Sequence, residues 1–155
     1  MATRVCGLAG IVGSGTMGSG IASCAALNGF KTCVYDVNPE IMKKAKATIV
    51  AGYDKLLEKG KIDSKKASAA KKNLTFSSKI ESLSGSGLVI EAAFEDMNLK
   101  KELYKKLEEI CEPDTILASN TSSFSITSIS ASVNTDKERV IGMHFFNPAN
   151  IMKLV

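Results

Sequence analysis

The sequence predicts an α/β fold, a doubly wound and mostly parallel sheet with helices on both faces, and three observations carry that expectation. Short β-like apolar runs alternate with longer stretches of helical periodicity along the whole 155-residue chain. A glycine-rich turn, "GIVGSGTMGSG" over residues 10–20, joins the first such run to the first helical stretch. An acidic residue, Asp36, closes the second apolar run, 18 positions after Gly18. With 45% apolar residues the chain can bury one core and not two, so a single domain over 1–155 is expected.

Leu8 to Val12 reads as the first strand and Thr16 to Asn28 as the first helix, with Gly29 in the position that ends it. "KTCVYD", 31–36, is the second strand. Pro39 suits the first turn of a helix whose apolar stripe runs through Met42, Ala45, Ile49, Tyr53 and Leu56. "LTF" and "GLVIEAAF" read as the third and fourth strands, the latter too uniformly apolar to have a wet face. Leu99, Leu103, Leu107 and Ile110 form a helical seam, "TILAS" is a fifth strand and "RVIGMHFF" a sixth. No internal repeat, low-complexity tract or interdomain linker stands out.

Twenty basic and sixteen acidic side chains leave a net charge of only +4, too mild for nucleic-acid binding across the whole surface. The excess is local: Glu40 to Lys72 holds ten lysines against four acids. Cys6, Cys24, Cys33 and Cys111 are scattered without a CxxC pair, and a single histidine leaves no zinc constellation, so no metal is expected. Reduced thiols in a cytoplasmic protein fit best. Arg4 followed by "VCGLAGIV" has the charge order of a secretory signal. That run breaks at Gly13 and Gly15, and nothing approaches the roughly 18 apolar residues of a membrane span. The start therefore reads as soluble and uncleaved, with no membrane partner.

Each part of the glycine turn has a mechanical task. Gly13 permits the tight turn, Gly15 lets the backbone approach a pyrophosphate, and Gly18 allows helix and strand to pack closely. Free N–H groups at the helix start then meet the anion. Asp36 can accept hydrogen bonds from the adenosine ribose and would repel a 2′-phosphate; no arginine or lysine follows within Val37 to Glu40. This is a Rossmann-type arrangement with NAD favoured over NADP. A glycine turn beside a surface aspartate is the plainer alternative.

Four blocks in order, "GSGTMGSGIA", "VIEAAFEDMNLKKELYKKLEEI", "ILASNTSS" and "IGMHFFNP…MKLV", cover nearly the whole chain. Together they resemble the NAD-binding half of the L-3-hydroxyacyl-CoA dehydrogenases, most closely the bacterial 3-hydroxybutyryl-CoA dehydrogenases. The resemblance implies an NAD-dependent interconversion of short-chain L-3-hydroxyacyl-CoA and 3-ketoacyl-CoA, with acyl-CoA as the substrate partner. His144, in HFFNP, becomes the general base, a task suited to imidazole because its pKa lies nearest neutrality. Ser122 of SNTSS is matched as the catalytic and substrate-binding hydroxyl for the 3-oxygen, with Ser123 not excluded by chemistry and a helix-capping turn as the plainer reading. The cofactor contacts it implies are Ser14, Thr16 and Met17 of the loop, Asn120, Asn147 near the nicotinamide, and Glu95 with Lys100, though Lys100 also reads as a solvated helix residue. The lysine-rich segment becomes a helical hairpin insertion over the substrate, with Lys59 as a contact for the phosphates of coenzyme A.

Two departures stand out. Gly7 and Gly10 lie where the family usually has β-branched residues, so a shorter or weaker first strand is expected. The chain also stops at Val155, one position before the family's glutamate that pairs with the histidine and before a helical domain through which the parent dimerises. Residues 1–155 are thus expected to bind NAD, to catalyse weakly or not at all, and to expose apolar surface. Two other readings stay open: another hydroxy-acid dehydrogenase on the same fold, which would typically use a lysine base, and a non-catalytic nucleotide-binding module.

Overall fold

A computed structural model of the chain describes residues 7–155. Arg4 and Cys6 lie outside the described residues. Six strands, β1 (Leu8–Val12), β2 (Lys31–Tyr35), β3 (Leu74–Ser77), β4 (Ser86–Glu91), β5 (Ile116–Ser119) and β6 (Val140–Gly142), form one sheet in the order β3-β2-β1-β4-β5-β6. Every pairing is parallel. The connections are α1 (Thr16–Leu27), α2 (Pro39–Glu58), α3 (Ser64–Lys72), α4 (Met97–Ile110) and α5 (Ile126–Ser130). Strand order reverses between β1 and β4, which opens a crevice beyond the carboxyl ends of the strands.

Neighbouring residues of the central strands feed opposite cores. Val12, Val89 and Leu117 pack with Leu103, Tyr104 and Leu107 of α4 on one face. Ile11, Ile90 and Ala118 pack with Ile21, Ile49, Tyr53 and Ala70 on the other. Both faces are covered, so the central strands read as apolar runs without alternation. Instead of standing apart, α2 and α3 belong to the second layer: Ile49, Tyr53 and Ala70 are buried there, and the Tyr53 hydroxyl donates to the Ser23 carbonyl at 2.8 Å. Among the described residues no helix is long and apolar enough to cross a membrane.

The glycines of the first strand do not shorten it. β1 keeps five residues and pairs on both sides. A Cβ on Gly10 would stand 2.9 Å from the Ser86 Oγ and 3.1 Å from Val89, so glycine here gives β4 and the turn before it room to close in. Other boundaries move for local reasons. α1 ends at Leu27 because Asn28 caps it, donating from its side chain to the Cys24 carbonyl at 2.9 Å, before Gly29 at φ +94°. β2 stops at Tyr35, and Asp36 turns out of the sheet to accept the Asn38 N–H at 2.9 Å. β4 stops at Glu91, well before Phe94, since the Glu91 carboxylate takes the Ala93 N–H at 2.8 Å and draws the chain out of the ladder.

Two corrections bear on the site. The sixth strand is only three residues, because the Asn120 side chain, not a strand carbonyl, accepts the Phe145 N–H at 2.8 Å. His144 therefore sits in a loop just beyond the strand. In α4, Asp96 caps the helix by accepting the Leu99 N–H, leaving Leu99 exposed. The buried stripe is Lys100, Leu103, Tyr104 and Leu107, so a lysine takes the inward place assigned to Leu99.

Candidate active site

The pairing register aligns the strand ends. Tyr35, Val12 and Glu91 lie side by side, Glu91 is opposite Ser119, and Ser119 is opposite Gly142. The residues that follow, Asp36, Gly13, Ala92 and Asn120, form the floor of the crevice, and His144 stands two residues past β6.

Gly13 turns the chain at φ +92°, and a Cβ there would lie 2.6 Å from the Ala92 carbonyl oxygen. Gly18 packs its backbone directly on the Gly13 carbonyl with no room for a side chain. Gly15 is different: a Cβ there would meet no protein atom within 4 Å, so a side chain would project into the open space over the loop. Gly15 also begins α1 with no side-chain cap, which leaves the first-turn N–H groups, Met17 included, for an anion. Buried Ser14 donates both its N–H and its hydroxyl to one Asp36 oxygen at 2.7 Å each. Asp36 is thereby fixed just past the carboxyl end of β2, with acceptor capacity left on Oδ1 for a sugar hydroxyl. An uncapped helix start, an open glycine and an anchored acid fit a dinucleotide.

Two clefts, each of about 370 Å³, open on either side of this turn. Ser14, Gly15 and Thr16 line one of them, together with Lys44 of α2. Met17, Glu95, Lys100 and Asn120 line the other, along with Ser122, His144 and Asn147. Gly13 and Gly18 lie beneath the turn, and Asp36 joins the first cleft through Ser14. Lys59 lines neither cleft; it caps the far end of α2 and is exposed.

The His144 Nδ1 lies 3.0 Å from the Asn120 carbonyl oxygen. A carbonyl only accepts, so Nδ1 donates in this contact, and in the neutral imidazole Nε2 is then the acceptor nitrogen. Phe146 meets the imidazole edge-on with ring centroids 5.5 Å apart. An orienting hydrogen bond is thus present within the described residues. The partner is neutral, however, and supplies no full charge to an imidazolium. Ser122 is exposed, and the capping role weighed for it falls to Ser125, which accepts the Ser128 N–H.

Lys100 is not solvated, being only 1% exposed, and it bonds Glu91 at 2.7 Å and Glu95 at 3.1 Å. Glu95 also accepts from the Thr121 hydroxyl and, at 2.9 Å, from the Ser123 hydroxyl. These bonds tie the loop after β4 to the loop that carries Ser122. Glu91 escaped the sequence reading. Its signal was a lone carboxylate inside "GLVIEAAF", a placement that a buried strand tolerates only with a partner.

Partial burial pushes the Glu95 carboxyl up, but the Thr121, Lys100 and Ser123 contacts outweigh it and hold the pKa below its ordinary 4.5. A depressed carboxyl pKa gives stability that is complete above the unfolded value and lost as pH falls through the folded one. Thermal melts from pH 6 to pH 3 are therefore expected to lose part of their acid slope in Glu95→Gln. An unchanged slope would contradict the clamp.

A family model described as 3-hydroxyacyl-CoA dehydrogenase, NAD binding domain, matches residues 8–155. A 3-hydroxybutyryl-CoA dehydrogenase of Clostridioides difficile is 43% identical over 145 residues, 94% of this chain and 51% of that protein. A 3-hydroxyadipyl-CoA dehydrogenase of Escherichia coli K12 is also 43% identical, over 94% of this chain and 30% of its own length. The crystal structure of a 3-hydroxybutyryl-CoA dehydrogenase from Escherichia coli K12 superposes with a TM-score of 0.92 at 41% identity, covering 95% of this chain and 31% of that one. The chain spans about half or less of the length of these relatives.

Proposed function

The chain belongs to the 3-hydroxyacyl-CoA dehydrogenases, as their NAD-binding domain, and from that premise we propose that it serves the NAD-dependent interconversion of short-chain L-3-hydroxyacyl-CoA and 3-ketoacyl-CoA. The observation that carries this reading is the His144 imidazole, tied through Nδ1 to the Asn120 carbonyl, in one cleft with Ser122 and with Met17 of the dinucleotide turn.

Bound NAD supplies the hydride acceptor. The protein does the rest. Gly15, Thr16 and Met17 would offer backbone N–H groups to the pyrophosphate, Asp36 would hold the ribose, and Asn147 would contact the nicotinamide end. The Ser122 hydroxyl holds the substrate's 3-oxygen, donating to it or accepting from it as the oxidation state demands. His144 Nε2 takes the hydroxyl proton in oxidation and returns it in reduction. The lysine-rich α2 and α3 draw in the phosphates of coenzyme A, with Lys59 among their contacts. In the parent protein a second, helical domain covers the acyl site and makes the homodimer. Exposed Phe146, Ile151, Met152, Leu154 and Val155 favour such a cover. The free thiols of Cys24, Cys33 and Cys111 favour a cytoplasmic setting.

Calorimetric titration tests the reading. Residues 1–155 are expected to bind NADH and to discriminate against NADPH. Their turnover of acetoacetyl-CoA is expected to fall roughly 10²-fold or more below that of the same residues extended through a relative's second half, because the exposed imidazole lacks both a charged partner and a dry wall. Failure to bind NADH would overturn the cofactor role, and equal turnover would overturn the need for the second domain.

A further inference from the structure

Glu91 ends β4 at the point where the strand order reverses, and it is completely buried. One carboxylate oxygen accepts from the Lys100 ammonium at 2.7 Å and from the Ala93 N–H at 2.8 Å. The other accepts from the Ser119 hydroxyl at 2.7 Å. This one group therefore joins the end of β4, the loop behind it, α4 and the end of β5. Glu91 and Lys100 both line the His144 cleft.

A buried ion pair is a weak source of stability, since desolvating two charges offsets most of their attraction, and apolar replacements of similar volume often do as well. The Lys100 position shows how specific this pair is. It continues the spacing of Leu103, Tyr104 and Leu107, where a leucine or methionine would pack without desolvation. The ammonium has two carboxylate partners, and its second, Glu95, reaches on to Thr121 and Ser123 on either side of Ser122.

We infer that Glu91 is a positioning residue: it holds the Lys100 cation at the floor of the His144 cleft, where that cation orients the dinucleotide and, through Glu95, the loop that carries Ser122. The inference rests on the cofactor reading above. Glu91 acts through Lys100 and touches no reacting atom.

The test measures NADH affinity and melting temperature for the wild type, Glu91→Gln, the double variant Glu91→Gln/Lys100→Met, and Ser119→Ala. Glu91→Gln leaves a buried lysine short of one partner, so it should lower the melting temperature and weaken NADH about tenfold. The double variant removes the stranded charge. It should recover the melting temperature and still bind NADH about tenfold more weakly than wild type. Ser119→Ala keeps the ion pair and loses one hydrogen bond to Glu91, and should weaken NADH by about threefold or more while lowering the melting temperature less than Glu91→Gln does. Wild-type affinity in the double variant would make the pair merely structural and overturn the inference. Should the double variant not fold, wild-type affinity in Ser119→Ala overturns it equally. A wild type that does not bind NADH refutes the cofactor reading itself, which separates the two failures.

Discussion

Replacing His144 by alanine, in a form extended through the second domain, is expected to lower kcat for 3-hydroxybutyryl-CoA oxidation by roughly 10²- to 10⁴-fold, the usual contribution of a positioned base. The loss should appear in kcat and kcat/KM together, because proton removal belongs to the transition state and not to substrate binding. NADH affinity should stay within about twofold, since the pyrophosphate and ribose contacts are proposed for the glycine turn and Asp36 rather than for His144. Activity within tenfold of wild type would remove His144 from the proton-transfer role.

Gly18→Ala should produce the largest loss of stability. Its Cβ would collide with the Gly13 carbonyl oxygen, a backbone atom with nowhere to go: Gly13 is itself pressed against the Ala92 carbonyl in a conformation only glycine adopts readily. α1 must then lift from β1 and open the core around Ile11, Ile21 and Ala22. Overpacking of this kind costs about 3 kcal/mol or more when backbone is the obstacle, and urea denaturation would read it as a lowered midpoint. Gly15→Ala is the matched control. Nothing in the protein lies within reach of its Cβ, so folding should survive while NADH binding falls. Equal stability of the two variants would contradict the division of labour within the turn.

The glycine turn and the acid were legible in the sequence because their tasks are set by backbone geometry. The spacing of Gly13, Gly15 and Gly18 between a strand and a helix leaves few alternatives, and strand β1, helix α1 and the placing of Asp36 just past β2 follow it closely. Strand ends at the crevice were harder to read, because side chains decide them. Glu91 draws the chain out of β4 and Asn120 ends β6, and both act through single hydrogen bonds that leave no periodic trace. The sequence left Lys100 open between a cofactor contact and a solvated helix residue for a related reason. Alone it looks like a wet helix residue, and Glu91, nine positions earlier on another element, together with Glu95, holds it inward. The bond from His144 to the Asn120 carbonyl is likewise invisible, since a backbone acceptor has no residue type.

In the proposed reaction a nicotinamide held by the amino-terminal turn reaches the imidazole of His144. The chain has one histidine, so its ring protons give a single pair of assignable signals in a proton NMR spectrum. Nuclear Overhauser transfer between the nicotinamide C4 protons of bound NADH and the His144 ring is the direct test. A cross-peak is expected, lost on competition with excess NAD. Saturating NADH that perturbs the turn yet gives no transfer to that ring would contradict it.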